Sequence, residues 1–219
     1  MNIQRIKLLL QKDWRTEWRK RTTLYSLLLY VFCTTFILYL AMQQLHPVVW
    51  NALFWILMLF NALQVMTKTF SQDEEGISLF LYTQVSATDL IISKIVYNAC
   101  LTLIVSFLNF GFYALIMGNP VQDNFIFLLN LGLGSIAFAV VLTFIAALTH
   151  FSSPQNSGLI GILGLPILVP LLTVLIKISK NAMDGLDRSL SYLQFLNLIA
   201  MIVAFLGISL LLFPQIWKE

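Results

Sequence analysis

The chain has 219 residues, of which 59% are hydrophobic and 11% are charged. Soluble domains average about 45–50% apolar and about 25% charged residues, so this composition excludes an ordinary soluble protein and indicates an integral membrane protein. The net charge of +3 does not indicate nucleic-acid binding, because seven of the 13 basic residues precede the first apolar stretch, where basic residues are typical signals of membrane topology.

Residues 1–22 predict an amphipathic helix on the cytoplasmic surface of the membrane. Apolar side chains recur at helical spacing, and basic side chains largely occupy the other faces, as in a helix that lies flat among lipid headgroups. The alternative is that the basic residues only set topology. The apolar set is Ile3, Ile6, Leu10, Trp14 and Trp18, and the basic set is Lys7, Lys12, Arg15 and Arg19.

Four long stretches without Asp, Glu, Lys or Arg follow. Because a helix needs about 20 residues to cross the hydrocarbon, two of these stretches hold two spans each and the other two hold one each. The sequence therefore predicts an all-α integral membrane protein, a single domain over residues 1–219 with six spans. We place the spans at 23–42, 48–66, 95–117, 125–148, 158–176 and 193–213.

Residues 68–94 form a loop that stays outside the hydrocarbon, because its longest uncharged run has only 13 residues. Three adjacent acids precede Gly76 and the amphipathic segment ISLFLY, which predicts a short surface helix that can dock into a partner. Ser86 and Asp89 have the spacing of a capping box, with Asp in place of the usual Glu or Gln. They predict a helix that starts there and continues through Lys94 into the third span.

The distribution of Lys and Arg predicts that both termini are cytoplasmic. In that orientation the inner segments hold ten basic residues, including Lys68 and Lys94, and the outer loops hold Lys177, Lys180 and Arg188. His46 then lies in an outer turn and His150 at the inner end of the fourth span, so the two cannot share a metal ion. The sequence leaves His46 open between an interfacial polar residue and an axial ligand for haem.

The chain carries no sequence signature of an enzyme. It has no nucleophile elbow, no H-E-x-x-H and no glycine-rich loop followed by Lys and Ser or Thr, so we expect neither catalysis nor ATP hydrolysis by this chain, and no bound metal. Cys33 and Cys100 fit neither a disulfide framework nor covalent haem attachment.

The fifth span is unusual, because small residues permit close helix contacts and interior prolines remove backbone hydrogen bonds. This pattern fits close packing alone or a hinge that moves during transport. The residues are Gly158, Gly161, Gly164, Pro166 and Pro170.

Two segments resemble a known family. The loop after the second span resembles the element that couples type 2 ABC permeases to a separate ATPase, and its matching residues are Phe70, Asp73, Glu74, Glu75, Gly76, Ile77, Phe80 and Leu81. The segment LTHFSSPQNSGLIGILGLPILVPLL resembles the region between the fourth and fifth spans of the haem exporter protein B family (CcmB) of cytochrome c maturation. The resemblance covers nearly the whole chain.

The resemblance implies a permease subunit of the bacterial inner membrane that pairs with a second copy of itself and with a cytoplasmic ABC ATPase. It further implies a haem-handling membrane protein and a periplasmic haem chaperone as partners, with haem as the handled or transported substrate and not as a covalent cofactor. Two alternatives remain open at this point: a type 2 permease for a lipid or drug, and a non-transporting assembly scaffold.

Overall fold

The structure is a computed structural model that describes residues 3–20, 22–42, 46–67, 85–152 and 159–217. Every regular element in these ranges is an α-helix, which confirms the predicted helical class for this part of the chain. The helices, numbered in chain order, are α1 (Ile3–Lys20), α2 (Thr22–Ala41), α3 (Pro47–Thr67), α4 (Ala87–Met117), α5 (Asn124–Ser152), α6 (Leu159–Met183) and α7 (Ser189–Ile216).

Five of the described helices, α3 to α7, contain segments that are long and apolar enough to cross a membrane. α2 has 20 residues, but its described apolar part, Tyr25–Ala41, is shorter than those segments. The six predicted spans therefore correspond to five long apolar helices and α2. Large apolar side chains cover the outside of the bundle, as the lipid-facing surface of a membrane protein requires.

The end of α6 corrects one detail of the predicted topology. We expected the fifth span to end at residue 176 and to place Lys177 and Lys180 in a loop. α6 instead continues to Met183, so both lysines lie in its last turns with exposed side chains. An uncharged segment marks the hydrocarbon portion of a span but not the end of the helix, because long cationic side chains near a helix end can extend to the interface.

α5 is the central helix of the bundle. It packs against α3, α4, α6 and α7, and 67% of its spanning segment is buried, compared with 17% for α7. Gly134 of α5 allows this close packing, because a Cβ atom there would lie only 2.8 Å from Leu175 Cδ2 and 3.0 Å from the ring of Trp55. α3 and α6 thus meet at the same point on α5.

An aromatic cluster fills the bundle near the end of α4. Its members, packed at centroid distances of 4.8 to 6.0 Å, are Trp50, Phe54, Phe110, Tyr113 and Phe127. The indole of Trp50 also donates to the backbone carbonyl of Gly118 at 3.0 Å. Gly118 is the C-cap of α4 with φ of +79°, a conformation that glycine adopts without strain.

α1 packs against α4 and more briefly against α2. Leu9 and Leu10 lie on its packed side, whereas Leu8 and Trp14 are exposed. The predicted helix at the N-terminus is therefore present, and part of its apolar surface faces the protein. Its position in the headgroup layer stays a prediction.

Candidate functional site

The predicted coupling element, from Phe70 to Leu81, lies outside the described residues. The structure describes both of its flanks: α3 ends at Thr67, and the chain resumes at Val85. Ser86 is the N-cap of α4 with extended backbone angles, and its side-chain oxygen accepts from the Asp89 backbone N–H at 3.4 Å. This half of the predicted capping box is confirmed, and it fixes where the loop becomes a helix.

A buried ion pair joins α1 to the first turns of α4. Lys94 Nζ lies 3.3 Å from Asp13 Oδ2, and the two side chains are only 6% and 12% exposed. The charge count grouped Lys94 with the loop, whereas the capping box predicted a helix through it; the helix is confirmed, and Lys94 is buried seven positions after its start. Because α4 follows the loop directly, any displacement of its first turns acts on α1 as well.

From this ion pair a row of buried polar side chains continues along α4. Successive members are three or four residues apart, which places them on one face of the helix. We call this row the α4 polar stripe. It consists of Lys94, Asn98, Thr102, Ser106, Asn109 and Tyr113, all of which are buried.

Part of the stripe is held by hydrogen bonds to neighbouring helices. Asn98 Nδ2 donates to Thr143 Oγ1 of α5 at 2.8 Å, and Thr143 donates to Met66 Sδ of α3 at 3.2 Å. At the far end, the Tyr113 hydroxyl donates to the Trp50 carbonyl at 3.2 Å. These contacts connect α3, α4 and α5 at two depths of the bundle.

The middle of the stripe is different. Thr102 Oγ1 and both amide atoms of Asn109 are buried and have no hydrogen-bond partner among the described residues. The same is true of both amide atoms of Asn61 on α3. Buried polar atoms without partners are rare in folded proteins because their desolvation is not offset, so this part of the interior calls for an explanation.

A second set of polar contacts holds the last part of α6. Asn51 of α3 donates to the Ile176 carbonyl at 3.0 Å, and Asn130 of α5 donates to the Leu175 carbonyl at 2.9 Å. The Trp55 indole and the Asn130 amide both donate to Ser179 Oγ, at 2.6 and 2.9 Å. Residues 175–179 are therefore attached to two other helices.

The family-model comparison identifies the chain. The model of the CcmB protein family matches residues 4–215. The chain belongs to the CcmB family. This is the haem exporter protein B family of cytochrome c maturation, as the sequence resemblance indicated. No curated protein sequence matches the chain.

The predicted hinge of this CcmB-family chain lies in the first part of α6, where the structure describes it in part. Gly158 lies outside the described residues. The other four positions all lie within α6, and they are Gly161, Gly164, Pro166 and Pro170. A Cβ atom on Gly164 would lie 3.5 Å from Ile145 Cδ1 of α5, an ordinary contact distance, so the packing at this position does not require glycine. The Thr173 hydroxyl donates to the Pro170 carbonyl at 2.7 Å.

At the opposite end of the bundle from Lys94, an exposed ion pair joins the starts of α5 and α7. Arg188 Nε donates to Asp123 Oδ2 at 2.8 Å, and Asp123 Oδ1 accepts from the backbone N–H groups of Phe125 and Ile126. These hydrogen bonds, that of Arg188 first, lower the pKa of Asp123 below its ordinary value of 3.8. A lowered pKa means that the pair stabilises the fold above that value and loses its effect only in stronger acid.

The candidates for metal or haem ligation stay unassigned. No group of three or more His, Cys, Asp or Glu side chains that could hold a metal ion occurs among the described residues. His46 is exposed at the start of α3, where its carbonyl accepts from the backbone N–H groups of Val49 and Trp50. His150 lies in α5.

The sequence analysis missed the α4 polar stripe. The spans were placed in stretches without Asp, Glu, Lys or Arg, and neutral polar residues within them were not considered. A signal was present, because Asn98, Thr102, Ser106 and Asn109 recur at helical spacing in an apolar segment. In a lipid-exposed helix that pattern indicates a face turned towards protein.

Proposed function

We propose that this CcmB-family chain is the membrane permease subunit of an ABC transporter complex for haem export or delivery in cytochrome c biogenesis. The observation that carries the proposal is the family match over nearly the whole chain. Haem is the handled or transported substrate. The chain itself is non-catalytic, and a separate cytoplasmic ATPase supplies the energy.

The loop over residues 68–84 is the proposed coupling site, with Phe80 and Leu81 as apolar anchors and the acids at 73–75 at the start of the surface helix. Negative charge near a helix N-terminus contributes about 0.3–1 kcal/mol for each residue. Two features of the described flank support the proposal. The Ser86 cap starts α4 directly after the loop, and the Lys94–Asp13 ion pair joins that start to α1.

α6 is the proposed moving element. Its last part is attached to α3 and α5 through the carbonyls of Leu175 and Ile176, whereas its first part contains Pro166 and Pro170. A helix that is fixed at one end and interrupted by prolines at the other can bend at the prolines. We propose that the segment before Pro170 bends as the ATPase cycles.

The remaining assignments follow from the family and the charge distribution. Both termini are proposed to be cytoplasmic in the bacterial inner membrane, with α1 at the inner surface. The proposed partners are a second copy of this chain, the ATPase, a haem-handling membrane protein and a periplasmic haem chaperone. Reporter fusions after Glu219 and within residues 184–188 should report the cytoplasm and the exterior respectively; the reverse pattern would contradict this orientation.

The decisive experiment replaces the proposed anchors and measures both coupling and haem delivery. Phe80→Ala with Leu81→Ala removes side chains worth roughly 1.5–3 kcal/mol each when fully buried, without touching a span. The matched control is Leu211→Ala with Leu212→Ala, two exposed positions of α7. Co-purification of the ATPase and covalent haem attachment to a c-type cytochrome are measured at equal membrane levels of each variant.

We expect the loop variant to lose the ATPase and haem attachment and the control to keep both. Retention of the ATPase at wild-type level would contradict the coupling assignment. Normal haem attachment after removal of the whole chain would contradict the function itself, and would leave the lipid or drug permease and the assembly scaffold as the competing functions. The purified chain should show no ATP hydrolysis.

A further inference from the structure

Three neutral polar side chains lie unpartnered in the middle of the bundle. Asn61 of α3 is 3% exposed, Thr102 of α4 is 2% exposed, and Asn109 of α4 is fully buried. Among the described residues, nothing accepts from or donates to their five side-chain nitrogen and oxygen atoms. Together these side chains offer donors as well as acceptors, but no charge.

The contacts of α3 and α4 place these side chains at neighbouring depths. The two helices run antiparallel, since Trp50 contacts Tyr113 while the later Phe54 contacts the earlier Phe110. Asn61 lies about two turns after Phe54 on α3. Thr102 lies about two turns before Phe110 on α4. Asn61 and Thr102 therefore lie at the same depth in the bundle. Asn109, directly beside Phe110, lies nearer the aromatic cluster.

An unpaired amide in a dry interior is costly. Removal of a polar group from water without a compensating hydrogen bond costs roughly 1–3 kcal/mol by protein mutational data, and three such residues concentrate in one short segment of the interface. Buried water is the usual remedy, since one molecule forms about three hydrogen bonds to groups of this kind. An ion would need an opposite charge, and no described residue at this depth of α3 or α4 is ionisable.

We propose that Asn61, Thr102 and Asn109 form a hydrated site inside the subunit, in which water takes the hydrogen bonds that these side chains lack. Water reaches this site along the α4 polar stripe, whose next members towards the Lys94 end are the buried side chains of Asn98 and Lys94. At the other end the aromatic cluster closes the interior. Water would therefore enter from the Lys94 end. This inference does not rest on the proposed function.

Thiol reactivity tests the site, because methanethiosulfonate reagents attack the thiolate, which forms readily in water and poorly in an apolar environment. The variant is Thr102→Cys in the full chain without Cys33 and Cys100. It is tested in membrane fragments that give the reagent access to both faces, and the reagent is the charged methanethiosulfonate ethyltrimethylammonium. The matched control is native Cys100 in the chain lacking Cys33 alone; Cys100 lies two residues from Thr102 on α4, and its side chain is exposed. A second control is Leu101→Cys, a buried apolar position that lies one residue from Thr102 and is therefore turned about 100° away on the same helix.

We expect Thr102→Cys to react at least tenfold faster than either control thiol. Equal rates at all three positions would overturn the proposal, since they would show that Thr102 is as dry as its apolar neighbours. Leu101→Cys also guards against general loosening of the bundle, because a fast reaction there together with Thr102→Cys would equally count against a defined site.

Thermal unfolding of Asn61→Leu gives an independent result. In a dry interior, replacement of an unpaired amide by an apolar side chain of similar size removes a desolvation cost and raises Tm. At a hydrated site the same replacement removes hydrogen bonds to water and lowers Tm. A lower Tm for Asn61→Leu supports the proposal, whereas an unchanged or higher Tm overturns it.

Discussion

α4 and α7 are both long membrane-spanning helices, with 31 and 28 residues, yet they have opposite roles in the bundle. α4 buries a cation, two amides and three hydroxyls along one face. α7 buries only Ser191 and Ser209 among its polar side chains, and 17% of its spanning segment is buried, compared with 33% for α4.

The difference shows where polar residues in a spanning helix are tolerated. Apolar side chains gain little from helix contacts in a membrane, because lipid tails offer a similar environment, so packing and polar contacts decide which faces turn inward. α4 has polar contacts with α1, α3 and α5, and α7 has few beyond its first turns. The comparison predicts that substitutions of the same residue type will have unequal effects on the two helices.

The largest expected effect is at Lys94, a buried cation of α4, whereas α7 contains no Asp, Glu, Lys or Arg. Lys94→Ala removes the cation that lies 3.3 Å from the buried carboxylate of Asp13, and removal of one partner from a buried ion pair costs about 3–5 kcal/mol. We expect a marked fall in folded protein, measured by the fraction that stays monodisperse in detergent after heating. The double variant Asp13→Lys with Lys94→Asp exchanges the two charges and should recover part of the lost stability. If neither Lys94→Ala nor the double variant changes the stability of the protein, the ion pair does not contribute to it.

The next effect concerns the helix starts. Ser86 caps α4 with its side chain, whereas the N-cap of α7, Arg188, makes no such hydrogen bond. Ser86→Ala should therefore destabilise the first turn of α4 by about 1 kcal/mol. Hydrogen exchange of the amides from Asp89 to Ile91 is the measurement, with the first turn of α7 in the same sample as an internal reference. Unchanged protection in α4 would mean that the cap contributes nothing.

A matched pair of asparagines comes third. Asn98 of α4 is buried and bonded to Thr143, and Asn197 of α7 is exposed. Asn98→Ala should lower the free energy of unfolding by about 1 kcal/mol, which is in the range of interhelical hydrogen bonds in membranes. Asn197→Ala should leave the free energy of unfolding almost unchanged. Chemical denaturation in mixed micelles can resolve the two. Equal losses would remove the distinction between the polar interior of α4 and the outer face of α7.

The smallest expected effect distinguishes two tyrosines. Tyr113→Phe removes one hydrogen bond to the Trp50 carbonyl and keeps the ring in the aromatic cluster. We therefore expect the free energy of unfolding to fall by about 0.6 kcal/mol. Tyr192→Phe, 71% exposed on α7, should have no effect. Paired melting curves are the measurement, and a larger loss for Tyr192→Phe would reverse the comparison.

The sequence predicted the helices well where an apolar stretch has clear ends. The start of α4 was correct because Ser86 and Asp89 form a local hydrogen bond that depends only on neighbouring residues. The end of α6 was wrong, since charge marks the edge of the hydrocarbon but does not end a helix. The sequence therefore predicted the N-cap of α4 correctly, but it did not predict where α6 ends near the membrane interface.

The interior was less predictable, because its contacts join residues far apart in the chain. Lys94 was correctly placed in the helix that starts after Ser86, although its charge was counted with the cytoplasmic loop, and nothing near it in sequence indicates its contact with Asp13. Likewise, Asn130 and Ser179 are 49 residues apart, and their contact depends on how α5 and α6 pack. The predicted coupling residues, from Phe70 to Leu81, lie outside the described part and stay a prediction.

The contacts on the last part of α6 have a consequence for biogenesis. Asn51 and Trp55 of α3 find their partners, Ile176 and Ser179, in a segment that is synthesised more than a hundred residues later. α3 must therefore leave the translocon before its polar groups can be satisfied. Nascent chains that stop before α6 would expose these groups to lipid, which makes them natural targets for an insertase or a membrane protease.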